Sequence, residues 1–125
     1  MRLSRQAEAE RRSEVGRVGE EIAARFLERC GRRILDRNVR LDIGEIDLLV
    51  GWKGRQIVVE VKTLVGPMNP LKRVDLDKQN RLRGLAARVG ASRVELVAVN
   101  LDERGADVRW LRQQRASGQF ARRLG

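Results

Sequence analysis

Two short apolar segments joined by a glycine-containing turn limit the folds open to this chain more than any other feature. The first covers residues 44–50 and the second covers residues 57–63, and both are rich in Val, Ile and Leu. The connection between them contains Gly51 and Gly54, which favour a tight reversal of the backbone. The pattern therefore predicts a β-hairpin within a larger sheet.

Acidic residues interrupt both strands of this hairpin. Because side chains alternate along a strand, Glu45 and Asp47 are expected on one face of the first strand. The same alternation predicts three apolar side chains together on the opposite face: Ile46, Leu48 and Val50. On the second strand, Glu60 and Lys62 share a face. Charged residues that alternate with apolar ones are also typical of an ordinary solvated sheet face.

The register of the hairpin decides whether these acids meet. A hairpin centred on the middle of its connection pairs Val50 with Ile57 and Asp47 with Glu60, with Cβ atoms about 4.5–5.5 Å apart. Two carboxylates at that distance repel each other, and a hard cation that binds both removes the repulsion. Lys62 would then orient a water molecule or a phosphate oxygen. This arrangement predicts a metal-dependent site for cutting phosphodiesters.

The remaining segments predict helices and strands that complete a sheet. Helices are expected over residues 15–29, with a start as early as Ser4 or Ser13, and over residues 75–89; strands over residues 33–40, 93–101 and 107–111. The first helix carries an apolar stripe: Val15, Val18, Ile22 and Phe26. The order αβββαββ is typical of an α/β or α+β domain with a mixed sheet flanked by helices. We predict one domain over residues 1–111, with a loop at 64–70, and a basic tail over residues 112–125.

The charge balance of the chain indicates a polyanionic partner. Lys and Arg number 27 against 17 Asp and Glu, which gives a net charge of +10, and only four of the 27 are Lys. Arg binds phosphate through a planar fork, so nucleic acid is the expected partner, although a membrane surface or an acidic protein also fits. Aromatic residues are only 3% of the chain, too few for a platform that stacks single-stranded RNA. Duplex or branched DNA is therefore favoured.

The absence of histidine excludes several kinds of chemistry. The chain has no His and one cysteine, Cys30, so Ser-His-Asp and Cys-His catalysis, zinc fingers and an intrachain disulfide are excluded. A metal must be bound by oxygen, which favours Mg²⁺ or Mn²⁺. We expect Cys30 to be a small buried side chain. No apolar run approaches the length of a membrane span and no signal peptide is evident, so we predict a cytoplasmic location.

The two hairpin motifs, Gly-Glu-Ile-Asp-Leu and Val-Glu-Val-Lys-Thr, resemble those of the YraN family of uncharacterised bacterial proteins. That family belongs to the PD-(D/E)XK nuclease-like superfamily, which includes Holliday-junction resolvases and many restriction endonucleases. The similarity covers residues 16–101 and includes Gly-Arg-Val-Gly-Glu at 16–20, Arg37-Asn38, Val74-Asp75 and Lys78. It implies a restriction-endonuclease-like core and a nuclease-like activity.

The resemblance also implies roles for individual residues. Asp47 matches the metal-binding Asp of the superfamily, and Glu60 and Lys62 match its (D/E)-x-K pair. Glu20 matches a helix glutamate that joins the site in resolvase-like members, and the backbone carbonyl of Val61 would complete the coordination of one or two Mg²⁺. Family relatives usually have Arg after the second motif, where this chain has Leu64.

Glu20 is less distinctive without the resemblance. It lies at the margin of the apolar stripe, where a solvated glutamate is the ordinary explanation. The neighbouring Gly19 would permit a close approach of helix and sheet, which supports a place for Glu20 at the site. Glu45 belongs to the first motif, but no role follows for it.

Three functions are compatible with these features. The first is a Mg²⁺-dependent nuclease acting on DNA by hydrolysis with a metal-activated water. The second is a non-catalytic nucleic-acid-binding module of the same fold, and the third is a protein-interaction domain whose acidic cluster is structural. A homodimer could form through the apolar strand at residues 94–99.

Overall fold

The first helix begins at the earliest of the predicted starts. The computed structural model describes residues 4–66, 76–115 and 118–124, with side chains described except at residue 12, at 76–78 and from 113 onward. Helix α1 (Arg5–Arg29) follows Ser4, whose hydroxyl accepts a hydrogen bond of 3.1 Å from the N–H of Ala7. This cap satisfies one of the free N–H groups of the first turn, so the helix extends ten residues beyond its apolar stripe.

The sheet has six strands in the described residues and follows chain order from β1 to β6. The elements after α1 are β1 (Arg33–Leu41), β2 (Gly44–Trp52), β3 (Arg55–Val65), α2 (Leu76–Val89), β4 (Arg93–Asp102), β5 (Gly105–Arg115) and β6 (Gly118–Leu124). Strands β3 and β4 are parallel, and the other neighbours are antiparallel. The prediction of a mixed sheet flanked by helices is confirmed.

The sequence predicted no strand after residue 111. In the structure β5 continues to Arg115, and β6 pairs with it antiparallel. The Arg-rich composition of this segment hides the strand, because strand periodicity is recognised from alternating apolar residues. Residues 67–70 of the predicted loop, the Val74-Asp75 motif and the side chain of Lys78 lie outside the described residues.

The central hairpin has the predicted register. Lys53 and Gly54 both have positive φ, 51° and 73°, as a two-residue type I′ turn requires. This turn pairs Val50 with Ile57, and the ladder continues to Leu48 and Val59. The position of Gly54 in the sequence was therefore sufficient to fix the alignment of the two motifs.

The core is divided between the two faces of the sheet. Helix α1 covers one cluster: Ala23, Ala24, Leu27, Leu48, Val50, Ile57, Val59, Val97, Val99 and Trp110. Helix α2 covers the other: Ile46, Val58, Leu82, Leu85 and Ala86. The predicted grouping of Ile46 with Leu48 and Val50 on one face is therefore wrong. The alternation along β2 is interrupted at Asp47, beyond the point where the ladder to β3 stops.

Three other expectations are corrected by the structure. Val18 is 45% exposed, because the face of α1 that meets the sheet carries Ala23, Ala24 and Leu27 instead. Cys30 is exposed just after the last turn of α1. Residues 94–99 do not form a free edge for dimerisation, because β4 lies between β3 and β5.

A buried arginine fastens the hairpin to the rest of the sheet. Arg32 is 2% exposed and lies between Trp52 of the hairpin and Trp110 of β5, with 4.4 and 4.7 Å from its guanidinium carbon to the two ring centroids. Its charge is balanced by Glu95 of β4, at 3.4 Å between Nη1 and Oε1, and Trp110 donates to the same oxygen at 3.0 Å. Aromatic rings favour a cation over their faces, so this cluster links β1, β2, β4 and β5.

Candidate active site

Asp47 lies where β2 separates from β3. The β2–β3 ladder stops at Leu48 and Val59, and just beyond it the backbone N–H of Val61, two residues after Val59, donates to Oδ2 of Asp47 at 2.8 Å. The carboxylate thus takes an acceptor position that a backbone carbonyl would otherwise occupy. This side chain is the reason that the two strands remain in contact at the site.

The environment of Asp47 favours its protonated form. The pKa of Asp47 is raised to about 7, mainly by burial and next by the negative charge of Glu60, while the hydrogen bond from Val61 opposes the increase. A hydrogen bond between the carboxyl groups of Asp47 and Glu60 also raises this pKa, since it requires a proton on one of them. The predicted juxtaposition of these two acids is therefore present in the fold.

Glu20 reaches the same region from helix α1. Burial raises the pKa of Glu20, and the charges of Glu45 and Glu60 add to the increase, while Arg37 lowers it. The approach depends on Gly19: an added Cβ there would lie 2.8 Å from Cβ of Thr63 and closer still to its hydroxyl. A glycine is therefore needed where α1 crosses β3.

Asn38 is a site residue to which the sequence assigned no role. With its amide oriented to satisfy its neighbours, the nitrogen donates to Oε1 of Glu20 at 3.0 Å and to Oε1 of Glu45 at 3.1 Å. Its φ of 51° is a left-handed conformation that Asn tolerates better than most residues. Asn38 thereby joins the helix glutamate to β2, and this gives Glu45 a place in the network. The Arg37-Asn38 match to the family, within β1, was the signal that could have indicated it.

Lys62 and Val61 follow Glu60 on β3 and differ in exposure. Lys62 is exposed, so its ammonium group is open to solvent beside the acids, and Val61 is half-buried with its side chain against the α1 cluster. Leu64, where the family usually has Arg, is half-buried in the same strand. Lys62 therefore adds an exposed cation, besides Arg37, to a strand that carries one member of a half-buried acidic pair.

The donor chemistry of the site suits a hard divalent cation. Carboxylate oxygens and backbone carbonyls are the groups that Mg²⁺ and Mn²⁺ prefer, and two like-charged carboxylates in hydrogen-bond contact are relieved by a cation between them. Over the described part of the chain, no three acidic or thiol side chains converge on one point. Beyond the effect of burial, the charge of Glu60 raises the pKa of Glu20 and of Asp47, and the charge of Glu20 also raises that of Asp47. The acids therefore form an extended cluster around the Asp47–Glu60 pair.

The family is decided by comparison with known proteins. The family model described as "Uncharacterised protein family UPF0102" matches residues 19–99, a range that holds Glu20, Asp47, Glu60 and Lys62. The chain belongs to the UPF0102 family. This confirms the resemblance to the YraN proteins and to their PD-(D/E)XK nuclease-like fold.

Relatives in the UPF0102 family cover most of the fold. A UPF0102 protein of Thermotoga petrophila is 45% identical over 60% of this chain and 81% of its own length. One of Streptomyces coelicolor is 40% identical over 82% of this chain and 88% of its own. One of Clavibacter michiganensis is 40% identical over 71% and 84%. Among the described helices of this UPF0102 protein, none is long and apolar enough to cross a membrane.

Proposed function

We propose that this UPF0102 protein is a Mg²⁺-dependent nuclease that hydrolyses phosphodiester bonds in DNA. The observation that carries the proposal is the hydrogen-bonded pair of Asp47 and Glu60, in which burial, together with the charge of Glu60, raises the pKa of Asp47 to about 7. A buried pair of like charges is costly for folding and is common where a protein tunes acids for catalysis. A purely structural sheet would place a cation opposite Asp47 instead.

Each residue of the site would have a distinct role in the hydrolysis. Asp47 and Glu60 would bind the metal, with the backbone carbonyl of Val61, and Glu20 would assist from α1. A bound Mg²⁺ or Mn²⁺ supplies a water of lowered pKa and stabilises charge on the phosphate oxygens. Lys62, exposed beside the pair, would orient the attacking water or hold a phosphate oxygen. Val61 also keeps Asp47 oriented through its N–H.

DNA is the proposed substrate because of charge. A net charge of +10, mostly from Arg, gives long-range attraction to phosphates and bidentate contacts once bound. The low aromatic content favours duplex or branched DNA over single-stranded RNA. A cytoplasmic location agrees with this role.

The test is cleavage of linear, supercoiled, flapped and four-way DNA with Mg²⁺ or Mn²⁺. Wild type is compared with Asp47→Asn, Lys62→Ala and the control Glu28→Gln, an exposed acid of α1 away from the site. We expect wild type and Glu28→Gln to cut at least one substrate and the two site variants to lose at least a hundredfold in rate. Cleavage that persists equally in Asp47→Asn would identify a contaminating nuclease and overturn the proposal.

A non-catalytic nucleic-acid-binding module is the second candidate. The observation that favours it is that no three acids converge on one point within the described residues. In that case wild type binds DNA with a steep salt dependence and cleaves none of the substrates with either metal.

A further inference from the structure

An open cleft adjoins the acidic pair on the α1 side of the sheet. Its volume is about 510 Å³, and its walls are formed by Val15 and Gly16 of α1 and by Val61 and Val65 of β3. Val65 is 59% exposed, so an apolar surface at the mouth of the cleft is left open. A volume of this size is within the range that binds small organic groups.

The cleft shares two residues with the proposed nuclease site. Glu20 lines the cleft and belongs to the acidic cluster, and Val61 lines it while donating to Asp47. Any DNA strand with a phosphate at Asp47 and Glu60 must therefore place an adjoining nucleotide beside this opening. The cleft therefore lies next to the DNA strand whose phosphate would be cut.

The chemistry of the cleft fits one nucleotide better than a duplex. Val15, Val61 and Val65 form an apolar part of the lining, and an unstacked base is held by apolar side chains when it leaves the helix. The lining also has polar side chains: Glu8, Arg11, Glu20 and Thr63. Arg11 lies at the outer end, nine residues and thus about 14 Å along the helix axis from Glu20. At that separation, Arg11 would contact a different phosphate of the DNA strand from the scissile phosphate at Asp47 and Glu60. Glu8 and Glu20 outnumber Arg11 among the described residues of the lining, which disfavours a broad phosphate surface.

We propose that this cleft binds an unpaired nucleotide next to the scissile phosphate. The substrate class is therefore DNA with an unpaired nucleotide, such as a bulge, mismatch or flap. The inference rests on the proposed nuclease function and narrows its substrate. A fully paired duplex would leave the cleft empty.

A substitution at Gly16 can fill the cleft without a steric clash. An added Cβ at Gly16 has no atom within 4 Å, so a larger side chain enters open space. Gly16→Leu fills the cleft and also favours the helix, since Leu has a higher helix propensity than Gly. Gly16→Ala gives the same helical gain with little filling, and Ala87→Leu adds the same side chain on an exposed position of α2.

The test is DNA binding in EDTA, where no cleavage occurs, measured by fluorescence anisotropy. The probes are a labelled duplex and the same duplex with one unpaired thymidine. We expect wild type, Gly16→Ala and Ala87→Leu to bind the second probe about tenfold more tightly, the gain expected from partial burial of one base against apolar side chains. Gly16→Leu should bind both probes equally, with its duplex affinity unchanged and its melting temperature not lowered.

The outcomes separate this inference from the nuclease proposal. If wild type binds and cuts DNA but shows no preference for the unpaired probe, the cleft proposal alone is overturned. If Gly16→Leu keeps the preference, the nucleotide is bound elsewhere and the cleft proposal is again overturned. If wild type binds neither probe in EDTA, the cleft proposal is overturned, and cleavage of the DNA panel with Mg²⁺ or Mn²⁺ decides the nuclease proposal separately.

Discussion

The N–H of Val61 donates to Oδ2 of Asp47 at 2.8 Å, just beyond Leu48 and Val59, the last pair of the β2–β3 ladder. The bond holds the carboxylate against β3, beside Glu60, where burial and that neighbouring charge raise its pKa to about 7. A hydrogen bond that favours the charged form is thus outweighed by desolvation and repulsion. Asp47, the central residue of the proposed catalytic site, therefore destabilises the folded state when it is ionised.

Asp47→Asn should stabilise the protein above neutral pH. The folded-state pKa of about 7 lies above the ordinary value of 3.8, so the unfolded chain loses the proton first and stability falls as pH rises from about 4 to about 7. Asn keeps an acceptor for Val61 without the charge. At pH 8 we expect a gain of about 2 kcal/mol after solvent screening is allowed for, and near pH 4 almost none.

Urea unfolding of wild type and Asp47→Asn across pH 4–8 measures this difference. Glu28→Gln, which alters an exposed acid on α1, is the control and should follow wild type at every pH. A wild-type stability that rises steadily from pH 4 to 8, in parallel with Asp47→Asn, would show that the buried pair carries no penalty.

Magnesium should stabilise wild type in a pH-dependent manner. A cation at Asp47 and Glu60 competes with the proton that the pair shares, so its affinity should fall about tenfold for each pH unit below 7. The melting temperature in MgCl₂, against NaCl of equal ionic strength, should therefore rise more at pH 8 than at pH 5.5. Asp47→Asn should lose this increase. An increase that is the same at both pH values would place the cation elsewhere.

Gly19→Ala should destabilise the fold and displace Glu20. The added Cβ would overlap the side chain of Thr63, at 2.8 Å from its Cβ, so α1 must move away from β3. We expect a loss of about 2 kcal/mol, in the range of overpacked contacts, although Ala favours a helix over Gly. Gly16→Ala, with open space around it, is the matched control and should be neutral or stabilising.

A double-mutant cycle with Thr63→Ala tests the cause of that loss. Removing the hydroxyl and methyl of Thr63 relieves the closest overlap, so the double variant should be more stable than the sum of the single changes by about 1 kcal/mol. Strict additivity would mean that Gly19 is needed for another reason.

Asn38 should combine a backbone role with a role in the acidic network. Its φ of 51° costs an ordinary residue about 1 kcal/mol, whereas its amide links Glu20 and Glu45. Asn38→Gly keeps the backbone conformation and loses only the amide, while Asn38→Ala loses both. We expect Asn38→Ala to be the less stable by about 1 kcal/mol in urea unfolding, and both to shift the titration of Glu20 by NMR. Equal stabilities would argue against the backbone role.

The hairpin illustrates how much of the site could be predicted from sequence. A two-residue turn at Lys53 and Gly54 fixes the alignment of two strands, so the approach of Asp47 to Glu60 followed from local rules. The grouping of Ile46 did not, because the break in alternation depends on a side-chain-to-backbone bond between β2 and β3. Local periodicity holds no information about that contact.

Long-range partners account for the other differences. Strand β6 exists through its pairing with β5 and has no apolar pattern of its own. The network around Asn38 joins residues far apart in sequence, from α1 to β2. Such features depend on which segments the fold brings together, and a single sequence gives only their local propensities.

Arg32→Met should test whether the arginine cluster holds the hairpin in place. The substitution keeps an apolar stem between Trp52 and Trp110 but leaves Glu95, which is 1% exposed, with less compensation. We expect a loss of about 3 kcal/mol, because breaking a buried ion pair costs more than removing it. Adding Glu95→Gln should recover part of this loss, since the unpaired charge is then gone. The measurement is urea unfolding of the two single variants and the double variant. If the double variant were less stable than Arg32→Met, the charge of Glu95 would still be compensated without Arg32, by Arg93 at 3.4 Å, and the unpaired-charge explanation would be wrong.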